Sequence, residues 1–295
     1  MGEYKSKRGI AVFELVFCLL FGDGILIFLS RLVDGYIEKQ LIGLVTIIYT
    51  IWCMYYILLD LTLKYIIKKE KIIIHAFWGM KNIQINFDEI NGLLVKEKYI
   101  DGFKLSGIGK QRYAFGRMVV EGIGTTRAFI TSSEKVIYIH TENLSYGISP
   151  VEIDKVLTFL FDKSVPIKEF KIKNYNSKEL FKKKSFLYPL IITTIVVILM
   201  TAFPFILYIF DIFPEKMPLS FNANLMVVLW GNGKQFAFKQ MMYGVFNMII
   251  LTCMYYASYF TAKYDKKLAI RYMYMPLSTT FLFSFIQVQI LINYL

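Results

Sequence analysis

Gly107-Ile108-Gly109-Lys110 comes nearest to a chemical motif in this sequence, because glycines ahead of a lysine can cradle a phosphate. The pattern fails at both ends. Lys104 stands where a phosphate loop needs its first glycine, and Gln111 replaces the Ser or Thr that would hold magnesium. Gly107, Gly109 and Arg112 likewise miss the third glycine of a dinucleotide fingerprint. The stretch 101–115 is therefore expected to be a flexible loop. His75 and His140 are the only histidines, and neither has carboxylates or cysteines at ligand spacing. Cys18, Cys53 and Cys253 each lie alone within an apolar run, so they read as packing residues and not as a disulfide or zinc set. No serine or cysteine sits in a recognisable nucleophile turn. The expectation is a protein without catalytic, cofactor or metal site.

Two carboxylates are less ordinary. Glu14 and Asp23 fall inside the first apolar run, and a carboxylate at bilayer depth costs at least about 2 kcal/mol unless it meets a partner or water. Glu14 is near enough to one end to reach the interface. For Asp23, flanked by Gly22 and Gly24, two readings stay open. It makes an interhelical polar contact or senses a ligand, or the helix breaks there and leaves it in the interface. Asp60 is expected to pair with Lys64 four residues on.

The elements that position these groups follow from composition. With 56% hydrophobic and 17% aromatic residues in 295, the chain is too apolar for an ordinary soluble enzyme. Five runs approach the roughly 20 residues that cross a bilayer: Ala11 to Ser30, Leu41 to Leu63, Ser185 to Phe210, Met241 to Ala262 and Tyr272 to Leu295. The formal charge of +12 is read through the positive-inside rule and not as a nucleic-acid footprint. Lysines and arginines cluster at 5–8, 64–71, 178–184 and 263–271, and these four clusters belong on one side. That places the N-terminus and the insert in the cytoplasm. The C-terminus and a loop at 211–240 then lie outside.

Between the second and third runs the pattern shortens. Candidate strands are Lys71 to Phe77, Lys81 to Phe87, Gly92 to Tyr99, Arg117 to Gly122, Thr126 to Thr131 and Lys135 to His140, with Trp78-Gly79-Met80 among the turns. Ser149-Pro150-Val151-Glu152 reads as a capping box opening an amphipathic helix with Ile153, Val156, Leu157 and Leu160 on one face. The domains expected are two membrane helices in 1–64, a soluble α+β insert in 65–165, a basic linker in 166–184 and three membrane helices in 185–295.

The strand near Tyr65, the turn Lys68-Lys69-Glu70-Lys71 and the ending Leu144-Ser145-Tyr146-Gly147-Ile148-Ser149-Pro150 before a helix resemble bacterial pleckstrin-homology (PH-like) domains. The resemblance covers roughly Tyr65 to Lys163. It implies a seven-stranded bent barrel capped by one C-terminal helix. In the 211–240 loop, Met217-Pro218-Leu219-Ser220-Phe221-Asn222 followed by Trp230-Gly231-Asn232-Gly233-Lys234 resembles a domain of unknown function found in Sdp-type bacteriocin immunity proteins. Ser220 stands where that family commonly has His, so any role of that His is absent. The resemblance singles out Pro218, Asn222, Trp230, Gly231 and Lys234 as an external interaction loop.

The fold expected is thus an integral membrane α-helical bundle of about five spans with an inserted cytoplasmic PH-like domain. The partners expected are the lipid bilayer and either a peptide toxin or a membrane or cytoplasmic protein, with a homo-oligomer also open and no nucleic acid. Lys68, Lys69, Lys71, Lys182, Lys183 and Lys184 are candidates for contact with the inner leaflet. Function divides three ways: a non-enzymatic immunity or envelope-stress protein, a regulatory or assembly subunit acting through its PH-like domain, and a transporter or membrane enzyme. The last has thin support, since polar residues are sparse in the apolar runs.

Overall fold

Long apolar runs form helices in the computed structural model because a backbone in lipid must satisfy its hydrogen bonds within its own segment. The structure describes residues 2–142, 144–163, 165–167, 170 and 175–295. Six residues of the expected basic linker (168, 169 and 171–174) lie outside the described residues. Among these, five helical stretches are long and apolar enough to cross a membrane: Ala11–Leu32, Tyr36–Thr62, Lys184–Ile209, Gly233–Ala262 and Lys266–Tyr294. They carry large exposed apolar side chains such as Phe13, Phe17, Ile51 and Phe260, as lipid-facing helices do.

The chain divides into two units, 1–29 with 42–173, and 30–41 with 174–295. In the first, β1 (Gly2–Lys5) precedes α1 (Ala11–Leu32) and α2 (Tyr36–Thr62). Two sheets follow. The first has order β1-β2-β3-β4 and is antiparallel throughout, with β2 at Lys64–Ile67, β3 at Lys71–Ala76 and β4 at Lys81–Asn86. The second has order β5-β9-β10-β8-β7-β6. Its strands are β5 (Ile90–Glu97), β6 (Gly102–Lys110), β7 (Tyr113–Val120), β8 (Gly124–Ile130), β9 (Lys135–Thr141) and β10 (Ser145–Ile148). Here β10 runs antiparallel to β9 and parallel to β8. The helix α3 (Ile153–Asp162) buries Ile153, Val156 and Leu160. One core joins both sheets, α3 and the helix ends, with Ala11, Leu59, Leu63, Tyr65, Phe129 and Ile137 among its members.

Several expectations need correction. The seven-stranded barrel is instead a four-stranded and a six-stranded sheet, and no barrel is closed. The segment 101–115 is not a loop but most of the β6–β7 hairpin, paired from Gly102↔Val120 to Lys110↔Tyr113. A Cβ on Gly107 would lie 2.1 Å from the Phe115 carbonyl oxygen, so that glycine serves strand approach. The basic leader to the first span contains β1, paired with β2. Ser149 does not cap α3, which begins at Ile153 after Glu152. Its hydroxyl accepts from the Thr131 amide at 3.0 Å and holds β8 beside the end of β10. Lys64 pairs with Glu3 at 2.7 Å and not with Asp60.

In the second unit, α4 (Lys184–Ile209), α5 (Gly233–Ala262), α6 (Lys266–Tyr272) and α7 (Tyr274–Tyr294) pack with a hairpin of β11 (Met217–Phe221) and β12 (Val227–Gly231). A Cβ on Gly244 of α5 would meet Thr201 Oγ1 at 2.1 Å, so the two helices approach closely there. Gln287 donates to the Met200 carbonyl at 3.0 Å and Thr280 to Asn247 Oδ1 at 3.3 Å. These buried polar groups bind helix to helix.

Candidate functional site

The hairpin β11–β12 starts from a chain that cannot continue as helix. Asp211 turns it at φ +53, and Pro214 and Pro218 follow. Pro218 lies opposite Trp230 in the ladder, and the register shifts on either side of Ser220. Asn222 closes the turn, its Oδ1 accepting from the amides of Asn224 and Met226 at 2.9 Å each. A Cβ on Gly231 would lie 2.4 Å from the Leu219 side chain. Asn232 and Gln235 then cap α5 reciprocally, and Lys234 is exposed in the first helical turn. The Trp230 ring stands edge-on to Tyr294 at 6.0 Å. All five residues singled out in this loop therefore lie on one hairpin and its exit. Asn222 and Gly231 shape it, Pro218 and Trp230 face each other across it, and Lys234 is free to project.

Beneath the hairpin lies a polar cluster that sequence reasoning missed. Glu38 in the first turn of α2 accepts from Lys239 Nζ at 2.6 Å and from the Tyr243 hydroxyl at 2.7 Å. Lys239 also donates to the Leu219 carbonyl at 2.5 Å. Lys239 and Tyr243 are four residues apart, which puts both on one face of α5. The charges cancel, and the arrangement fastens the hairpin to α5 and the start of α2. What the hairpin presents is apolar: Leu225, Met226, Val228, Leu229 and Trp230 are all exposed.

The two carboxylates of α1 are both engaged. Glu14 accepts from Lys110 at 2.7 Å and from the Tyr113 hydroxyl at 3.2 Å, tying the β6–β7 hairpin to the start of α1. The hydrogen bond to Glu14 raises the Lys110 pKa. α1 runs unbroken through Asp23, whose Oδ2 accepts from Thr50 of α2 at 3.0 Å. Nearby, Tyr49 donates to the Cys18 carbonyl at 2.6 Å. The interhelical reading of Asp23 thus has a partner, and a helix break at that residue is not seen.

The six lysines divide between the two units. Lys68 and Lys69 are exposed in the β2–β3 turn, and Lys71 donates to Gln84 at 2.7 Å. Lys182 ends a short 3-10 helix, Lys183 precedes α4 and Lys184 opens it, all in the second unit. Among the described residues no three or more His, Cys, Asp or Glu side chains cluster as metal ligands would. His75 is bonded to Asn82 at 2.8 Å and His140 to Ser145 at 2.9 Å.

Residues 63–164 match the family described as Bacterial PH domain. The whole chain is similar to an uncharacterized protein of Clostridium acetobutylicum, at 36% identity over 294 residues and 99% of each chain. No solved structure matches it.

Proposed function

Since the chain belongs to the family of that Clostridium protein and carries a bacterial PH domain, we propose that it is a non-enzymatic multi-pass membrane protein that protects its cell against a membrane-active peptide. The observation that carries this reading is the β11–β12 hairpin, an exposed apolar strand locked in place by Lys239 and Glu38. Trp and aliphatic side chains on a rigid, half-exposed strand suit the apolar face of an amphipathic peptide arriving at the membrane surface. The distribution of lysines supports an extracytoplasmic hairpin and a cytoplasmic PH domain, since that arrangement alone keeps the four basic clusters inside.

Sensitive cells expressing the chain should survive challenge with a peptide encoded beside its gene. The same cells carrying Val228→Asp or Trp230→Ala, with the protein still in the membrane, should lose that protection. Failure to protect against any neighbouring peptide counts against the proposal.

A further inference from the structure

The turn between β3 and β4 is built from Phe77, Trp78 and Gly79, which form a single 3-10 turn followed by Met80. Phe77 and Trp78 sit at φ +53 and +51, a left-handed region that bulky residues rarely occupy, and Gly79 follows at +105. The conformation is held from several sides. The Phe77 amide donates to Thr62 Oγ1 at 2.9 Å, Asn82 donates to the Gly79 carbonyl at 2.7 Å, and Met80 N donates to the Phe77 carbonyl at 3.1 Å. Strained backbone so firmly held points to a purpose for the side chains it displays. Those side chains are apolar and uncovered: Trp78 is 78% exposed and Met80 92%.

The turn's position along α2 says what could cover them. Aromatic residues of a spanning helix gather at the two interfaces, and α2 carries Tyr36 at one end and Trp52, Tyr55 and Tyr56 toward the other, with Tyr49 between them bonded to the Cys18 carbonyl of α1. At about 1.5 Å per residue, Tyr36 and Tyr56 are about 30 Å apart along the helix, the thickness of a hydrocarbon core. Tyr55 therefore marks an interface, and Thr62 lies about 10 Å beyond it. The Phe77 ring packs on Tyr55 with centroids 5.0 Å apart. The Lys81 ammonium bonds the Tyr55 hydroxyl and sits 5.0 Å from its ring. So the β3–β4 turn runs back along α2 to the depth of Tyr55, whereas Lys68 and Lys69 occupy the opposite end of the β2–β3–β4 hairpins.

We infer that the Phe77–Gly79 turn is a membrane wedge: Trp78 and Met80 insert into the interfacial layer of the leaflet beside α2, with Lys81 at headgroup level. Tryptophan, methionine and a snorkelling lysine match the chemistry of that layer. The lipid-facing partner is thus specified by continuity with a helix that crosses the same bilayer. The wedge holds this end of the PH domain to the surface, while the distal lysines of the β2–β3 turn are left to the aqueous side. The inference rests on α2 being a span.

The test uses the full chain in proteoliposomes of phosphatidylethanolamine and phosphatidylglycerol. With Cys18, Cys53 and Cys253 replaced by Ala, a spin label is placed on Met80→Cys, and on Ile51→Cys and Lys69→Cys as references. The Met80 label should collide with oxygen as the Ile51 label does and be shielded from a water-soluble nickel complex. Nickel collisions as frequent as at Lys69 overturn the wedge, and so does shielding from both reagents, which would mean a protein covers the turn. Nickel access at Ile51 would instead bring down the span, a separate failure. A second measurement keeps the native cysteines. In a Trp52→Phe/Trp230→Phe variant, brominated lipid should abolish most of the Trp78 emission, and unchanged emission would overturn the proposal.

Discussion

The hydroxyl of Tyr243 donates to Glu38 Oε1 at 2.7 Å, joining the start of α2 to α5 across 205 residues of sequence. Lys239 completes the contact and carries it to the hairpin through the Leu219 carbonyl. The geometry of the proposed peptide-facing strand therefore depends on a charge pair below it.

Glu38→Gln should destabilise the chain by about 1–3 kcal/mol, because it leaves a partly buried ammonium without its counter-charge. Tyr243→Phe, which removes one hydroxyl, should cost about 1 kcal/mol. Thermal unfolding in detergent micelles measures both. The double variant Glu38→Gln/Lys239→Met should cost less than the two single changes together, since the partners touch. Strict additivity would mean that the pair is not coupled.

Gly107→Ala should cost about 1–3 kcal/mol, since the residue sits at φ +91 with the Phe115 carbonyl oxygen in the way of a Cβ. Lys110→Ala breaks a surface pair with Glu14 and should cost no more than about 1 kcal/mol. Adding ATP should move the unfolding midpoint of neither variant nor of the parent chain. A nucleotide-dependent shift lost in Lys110→Ala would contradict the rejection of a phosphate loop at Gly107 to Lys110.

The apolar helices were legible because length and hydropathy are local properties of a sequence, and strands such as 71–76 and 135–141 because β-branched runs end at turn residues. The rest was set by distant partners. β6 was hidden because Gly107 and Gly109 interrupt its apolar pattern, and their reason is the approach of β7. The Ser149 hydroxyl looked like a helix cap until Thr131 claimed it. At the hairpin, Pro218 and Trp230 stood out by residue type. Glu38 carries no signal of its own in the sequence, because its partners Lys239 and Tyr243 lie about 200 residues away.

The N-terminal strand should loosen in acid. Lys64 holds the Glu3 carboxylate below its ordinary 4.5, so the pair is intact above that pH. It is lost as the pH falls below 4.5 through the lowered folded value. Hydrogen exchange at residues 2–5 should accelerate over that range relative to β3. Glu3→Gln should abolish the pH dependence, and high salt should weaken it because the pair is exposed. Exchange that changes identically in Glu3→Gln would assign the effect to other groups.

The proposed topology puts the β11–β12 hairpin outside the membrane and the PH domain inside. Single cysteines at Ala223 in the hairpin turn and at Lys69 in the β2–β3 turn, both exposed, can be introduced in the background lacking Cys18, Cys53 and Cys253. Intact cells are then treated with an impermeant thiol reagent. Labelling at Ala223→Cys, with Lys69→Cys reacting only after the cells are opened, is the predicted result. Labelling of Lys69→Cys in intact cells with Ala223→Cys protected would contradict the account.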